Sequence, residues 1–151
     1  MALSGKRVAQ VEIKSNGDVF HELWKGNPHQ IPNLSPTTIQ NCQAHDGEFG
    51  TAGSVLFWNY VHDGKDSVAK TLIKDINEEK KSVTFEILEG DLLELYKTFV
   101  IHVHVDKHGI NHLVTWTVEY EKLNSDVPDP DTLMDFYRKV TKDIETHHLK
   151  S

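Results

Sequence analysis

The sequence predicts an α+β domain in which one curved antiparallel sheet of seven strands is covered by a single long C-terminal helix. Three observations carry that prediction. Apolar and polar residues alternate with period two from about residue 38 to residue 122. The breaks in that alternation are short and rich in turn formers, which forces antiparallel hairpins. From Asp129 onward the period changes to that of a helix with one apolar stripe.

The first strand falls at 7–14, where Ala9, Val11 and Ile13 alternate with Gln10, Glu12 and Lys14. Asn16-Gly17 breaks it, and Val19, Phe20, Leu23 and Trp24 share one side of a short helix ended by Gly26. Pro28, Pro32 and Pro36 restrict any helix in the next stretch to about two turns. Two short helices therefore precede the second strand. Six strands follow at 38–45, 54–62, 67–76, 82–89, 96–106 and 110–122. Their connections are Asp46-Gly47, Asp63-Gly64, Asn77-Glu78-Glu79, Gly90-Asp91 and His108-Gly109. In the tail, Asp129 is placed to cap a helix of about five turns, Pro130 suits its first position, and Asp131 complements its positive end. Leu133, Tyr137, Val140 and Ile144 form its stripe, with Met134 and Phe136 alongside. A sheet with one wet face needs its other face covered, and only this helix is long enough to do it.

The chain of 151 residues fits one domain, spanning 1–151, with a core that needs no disulfide or structural metal. Its single cysteine, Cys42, forms no internal bridge. No apolar run approaches membrane-spanning length, and Met-Ala-Leu-Ser-Gly-Lys lacks the apolar stretch of a signal peptide, so a cytoplasmic location without stable membrane insertion is expected. A net charge of −7 with scattered Lys and Arg argues against nucleic acid as a partner.

Four stretches resemble the plant major latex protein family, within the birch-pollen-allergen superfamily. They are Val19-Phe20-His21-Glu22-Leu23; Gly47-Glu48-Phe49-Gly50-Thr51-Ala52-Gly53-Ser54 with Phe57-Trp58-Asn59-Tyr60; Glu89-Gly90-Asp91-Leu92-Leu93; and Trp116-Thr117-Val118-Glu119-Tyr120-Glu121-Lys122. The resemblance runs from about residue 4 to the C-terminus. It implies the helix-grip fold, seven strands around the terminal helix, with a large internal cavity for hydrophobic or amphipathic small molecules. Fatty acids, lysophospholipids or lipophilic plant metabolites are the ligands expected, in a carrier linked to defence or stress response rather than a classical enzyme. No cofactor is expected, and no protein partner is indicated.

Carried onto this chain, the resemblance places Trp58, Tyr60, Phe85, Ile87, Phe99, Ile101, Val103, Val114, Trp116, Val118 and Tyr120 on the inner face of the sheet. Phe20 and Leu23 would close one end, with Leu133, Tyr137, Val140 and Ile144 as the lid. Any one of these serves a packed core equally well. As a set they favour binding, because an empty apolar cavity costs on the order of 24 cal/mol per Å3. His147 and His148 continue the stripe, where the negative end of the helix favours their protonated form and an anionic headgroup could meet them. A frayed, solvated terminus is the plainer expectation there.

Sharper chemical signals are weaker. Gly47, Gly50 and Gly53 form a Gly-x-x-Gly-x-x-Gly loop, but a nucleotide loop needs Gly-Lys-Ser/Thr leading into a helix, and a tight turn is the better reading. His102 and His104 share a strand face, near His108 and His112, yet the apolar residues of that strand claim the inside, so these histidines point to solvent and no metal site is expected. Cavity catalysis would need a buried acid–base group; Tyr60, Tyr120, Tyr137 and an inward Lys70 are the candidates, and no pair emerges. Cys42 and His45 lie on opposite faces, so the thiol packs rather than attacks. A ligand-dependent adaptor, with loops 63–66 and 88–94 as its gate by analogy, is the remaining alternative.

Overall fold

A computed structural model describes residues 3–14 and 17–146, with only the backbone of His108. The elements run β1 (Ser4–Ile13), α1 (Gly17–Gly26), a 3-10 turn (Pro28–Gln30), α2 (Ile31–Leu34), β2 (Ile39–Asp46), β3 (Val55–His62), β4 (Lys65–Asn77), β5 (Ser82–Gly90), a second 3-10 turn (Asp91–Glu94), β6 (Tyr96–His108), β7 (Asn111–Lys122) and α3 (Asp131–Ile144). All seven strands join one antiparallel sheet in the order β1-β7-β6-β5-β4-β3-β2. Strands β2 to β7 pair each with the next, as connections of a few residues require. Only β1 crosses over, to pair with β7.

The boundaries differ from the sequence reading in instructive places. Strand β1 begins at Ser4 rather than residue 7, because Ser4 and Gly5 pair with Glu121 and Tyr120. Gly5 carries no alternation signal, and its missing side chain is what admits the Tyr120 ring; a Cβ there would sit 2.5 Å from the phenol oxygen. In α1, Phe20, Leu23 and Trp24 are buried as expected, but Val19 is 37% exposed and His21 turns inward instead. Asp129 does not cap α3, whose N-cap is Pro130 without a side-chain bond. Its carboxylate instead takes Arg7 Nη2 at 2.6 Å, Lys122 Nζ at 3.0 Å and the Tyr120 hydroxyl at 2.9 Å. Three cross-chain donors outweigh one local cap.

The fourteen described residues of α3 lie against β1, β3, β7 and α2. Leu133, Met134, Tyr137, Val140, Thr141 and Ile144 form its buried side. Burying each large apolar side chain contributes roughly 1.5–3 kcal/mol, so the stripe holds the helix on the sheet. Trp116 of β7 adds a directional tie: its Nε1 donates to Thr141 Oγ1 at 2.8 Å, and that hydroxyl donates to the Tyr137 carbonyl at 2.8 Å. Among the described residues, no helix is long and apolar enough to cross a membrane.

Candidate functional site

Strand parity decides what faces α3. In β3 the inward residues are Leu56, Trp58 and Tyr60; in β4, Ala69, Thr71 and Ile73; in β5, Val83, Phe85 and Ile87. Between these strands, α1 and α3 lies an apolar cavity of about 60 Å3. One water needs ~10–15 Å3, so the space admits a small apolar group.

Of the residues expected to line it, Trp58, Tyr60, Phe85, Ile87, Ile101, Trp116, Leu133 and Tyr137 do so. Phe20, Leu23, Phe99, Val103, Val114, Val118, Tyr120, Val140 and Ile144 are buried but form no part of the wall. They fill the core beyond it. Phe99, for example, packs in a cluster with Tyr96 and Tyr120, ring centroids 5.1–6.2 Å apart. Parity places a side chain inside; it does not say whether the curvature leaves space in front of it. His147 and His148 lie outside the described residues.

Trp24, Ile39, Ala69, Thr71, Leu92 and Phe136 complete the wall. Ile39, Ala69 and Thr71 follow from the same alternation applied to β2 and β4. Trp24 sits four residues after Phe20 on the buried side of α1. Leu92, within the segment 88–94, enters through a 3-10 turn that no periodicity announces. Phe136 alone among the described lining residues is only half-buried, which puts it at the mouth.

The resemblance implied a large cavity, and the space here is narrow because rings fill it. Trp24 stands edge-on to Trp116 at 4.9 Å and stacks near Trp58 at 6.1 Å, with Phe85 at 6.4 Å. Trp116 in turn lies flat on Tyr137 at 4.5 Å. Aromatic side chains bury the most area per residue, so a wall rich in them closes on itself.

Among the described residues, the wall carries no charged side chain. Burial raises the Tyr60 and Tyr137 phenols above their ordinary value, keeping both neutral. Lys70, expected inward, points out of the sheet and binds Glu89 at 2.7 Å, since Ala69 and Thr71 take the inward parity. Tyr120 is tied to Asp129 rather than to the cavity. Cys42 is buried, which pushes its thiol up and away from nucleophilic use, while His45 is exposed on the other face.

The remaining signals take structural roles. His102 and His104 face outward, His102 Nδ1 at 2.9 Å from Thr84 Oγ1 and His104 Nε2 at 3.0 Å from Asp106. In the glycine loop all three glycines have positive φ. Its Gly53 N–H is taken by the Ile73 carbonyl at 2.7 Å and the Glu48 N–H by Ser54 Oγ at 2.9 Å, so these donors are committed to the turn rather than to an anion. The 63–66 hairpin is a tight turn, with Asp63 and Gly64 at φ 55° and 76°.

Comparison with known proteins agrees with this architecture. The profile of the Pathogenesis-related protein Bet v 1 family matches residues 2–151. MLP-like protein 34 of Arabidopsis thaliana is 46% identical over 142 residues, covering 93% of this chain; the chain spans about half (45%) of that relative's length. The crystal structure of major latex-like protein 151 from Panax ginseng superposes with a TM-score of 0.96 at 53% identity, covering 99% of this chain and 100% of that one. Norcoclaurine synthase from Thalictrum flavum, solved with dopamine and hydroxybenzaldehyde, shares the fold alone, with a TM-score of 0.71 at 16% identity over 97% of this chain and 90% of that one.

Proposed function

The chain belongs to the pathogenesis-related protein Bet v 1 family, among its major-latex-like members, and from that premise we propose that it binds and carries a hydrophobic or amphipathic small molecule in the cavity beneath α3. The observation that carries this reading is the wall itself: aromatic and aliphatic side chains from three layers of the fold converge on one uncharged space. The ligand's apolar body rests against Trp24, Trp58 and Trp116, and Phe136 moves to admit it. A molecule larger than the present space separates the Trp24 and Phe136 rings from their neighbours, and the area it buries offsets the packing lost.

Carriage is favoured over turnover by the chemistry of the wall. General acid–base catalysis needs a group that changes protonation near working pH. Among the described residues, the titratable groups lining the cavity are phenols that burial holds neutral. The test is to purify the protein natively from its own tissue, extract it with organic solvent, and identify the extract by mass spectrometry. A near-stoichiometric lipophile supports the carrier. An empty extract, together with failure to bind a neutral hydrophobic dye, removes it.

A further inference from the structure

At the mouth of the cavity the first turns of α3 meet the end of β3. Tyr60 and His62 stand two residues apart on β3 and so share a face. Thr132 and Phe136 stand one turn apart on α3 and share a face too. The Phe136 ring meets Tyr60 at 5.5 Å and His62 at 6.5 Å, both edge-on. His62 Nε2 shares a hydrogen bond of 2.8 Å with Thr132 Oγ1. Tyr60, Leu133 and Phe136 also line the cavity, so this seam borders the space itself. The far half of α3 is tied elsewhere: Trp116 of β7 holds Thr141, and Ser35 Oγ donates to Asp143 at 2.6 Å.

We propose that His62 controls passage through this mouth: its neutral ring holds β3 to Thr132 and Phe136 and keeps the cavity shut, whereas its protonation favours a parted, open form, so that ligand enters and leaves faster in mildly acidic surroundings. The inference rests on the carrier reading and adds the regulation of that site. Its physical cause is desolvation. The ring is half-buried, and burial lowers the His62 pKa from its ordinary 6.5 although the charge of the adjacent Asp63 pulls the other way. In the parted form the ring returns to water and to its ordinary value. The shut form therefore binds fewer protons, so shutting is favoured above about pH 6.5 and loses ground as pH falls below it. Neutral His62 either donates to the threonine hydroxyl or accepts from it; the imidazolium keeps only the donor and brings a charge. Lys65, another cation, stands opposite His62 in the hairpin register. The carboxylates of the neighbouring elements have partners of their own: Asp131 takes Arg7, Asp135 takes Arg138, and Asp91 accepts the Val68 N–H.

The test follows the neutral dye N-phenyl-1-naphthylamine onto and off the full chain by stopped-flow fluorescence at a series of pH values from about 8 down to about 5, spanning the ordinary histidine pKa. Association and dissociation rates are both expected to rise as pH falls below about 6.5, by up to roughly tenfold per pH unit, while their ratio changes little. His62→Gln keeps a group able to bond Thr132 but does not titrate, and His62→Phe keeps a ring against Phe136; the rates of both are expected to stay flat across the range. Thr132→Val removes the bond and leaves the imidazole. Its rates are expected to be roughly threefold to tenfold faster at the alkaline end, the scale of one net hydrogen bond, and still to rise in acid. Flat rates in the unmodified chain overturn the inference and leave the carrier reading standing. So does an acid rise that survives in His62→Gln and His62→Phe, or an unchanged rate in Thr132→Val at the alkaline end. A dye that binds at no pH removes the carrier reading, and this inference with it. Thermal melting at both ends of the range checks that each chain is folded where its rates are read.

Discussion

Thr141 shows how much one hydroxyl can hold. It accepts the buried indole N–H of Trp116 and donates to the carbonyl one turn back, so it satisfies the sheet and the helix together. Replacing it by valine keeps the shape and orphans the Trp116 donor. Thr141→Val is expected to lower stability by about 1–3 kcal/mol, read as a shift in urea midpoint at unchanged slope. Gly90 is constrained by its backbone: φ of 131° with ψ of −173° is a region open only to glycine, and a Cβ there would collide with the Val68 carbonyl oxygen. Gly90→Ala is expected to cost at least about 1–3 kcal/mol in the same assay. Neither role was legible in the sequence. Thr141 lay within a stripe read for its apolar members, and its partner is 25 residues away. Gly90 was legible as a break between strands, while its close approach to β4 depends on register.

The secondary elements were far more legible than their ends. Alternation located β2 to β7 to within a few residues, because a half-buried antiparallel strand must repeat every second position. It missed the start of β1, where Ser4 and Gly5 are held by backbone pairing alone. The α3 stripe was equally clear, but its N-terminus was not, because Asp129 is used as a clasp between β1, β7 and the helix entrance. That clasp has a pH signature. Hydrogen bonds from Lys122, then from Tyr120, with the Arg7 charge, hold the Asp129 carboxyl below its ordinary 3.8. The folded pKa is depressed, so the stabilisation is present above the unfolded value and is lost as pH falls through the folded one. The melting temperature is therefore expected to drop below about pH 4, more steeply at low salt. Asp129→Asn lowers it at pH 7 and brings the two curves together in acid; parallel curves would show that the clasp contributes nothing.

Across the whole molecule, a curved sheet gripping one helix encloses more inner face than the helix alone can fill. The chain meets the surplus with rings, and the result is a narrow aromatic cavity rather than a wide one. Strand parity accounts for six of the expected lining residues and the α3 stripe for two, Leu133 and Tyr137, but parity overreached towards the ends of the sheet, since period two reports inside against outside and not the depth of the hollow. All three tryptophans of the chain stand in that wall. Their indole N–H resonances therefore report the cavity directly, and a two-dimensional proton–nitrogen spectrum during titration with N-phenyl-1-naphthylamine is the measurement to make. Binding in the cavity predicts that the Trp24, Trp58 and Trp116 signals all move and saturate near one equivalent, while the amides of His102 and His104 on the outer face stay still. Three unmoved indoles, or shifts confined to the outer face, would contradict it.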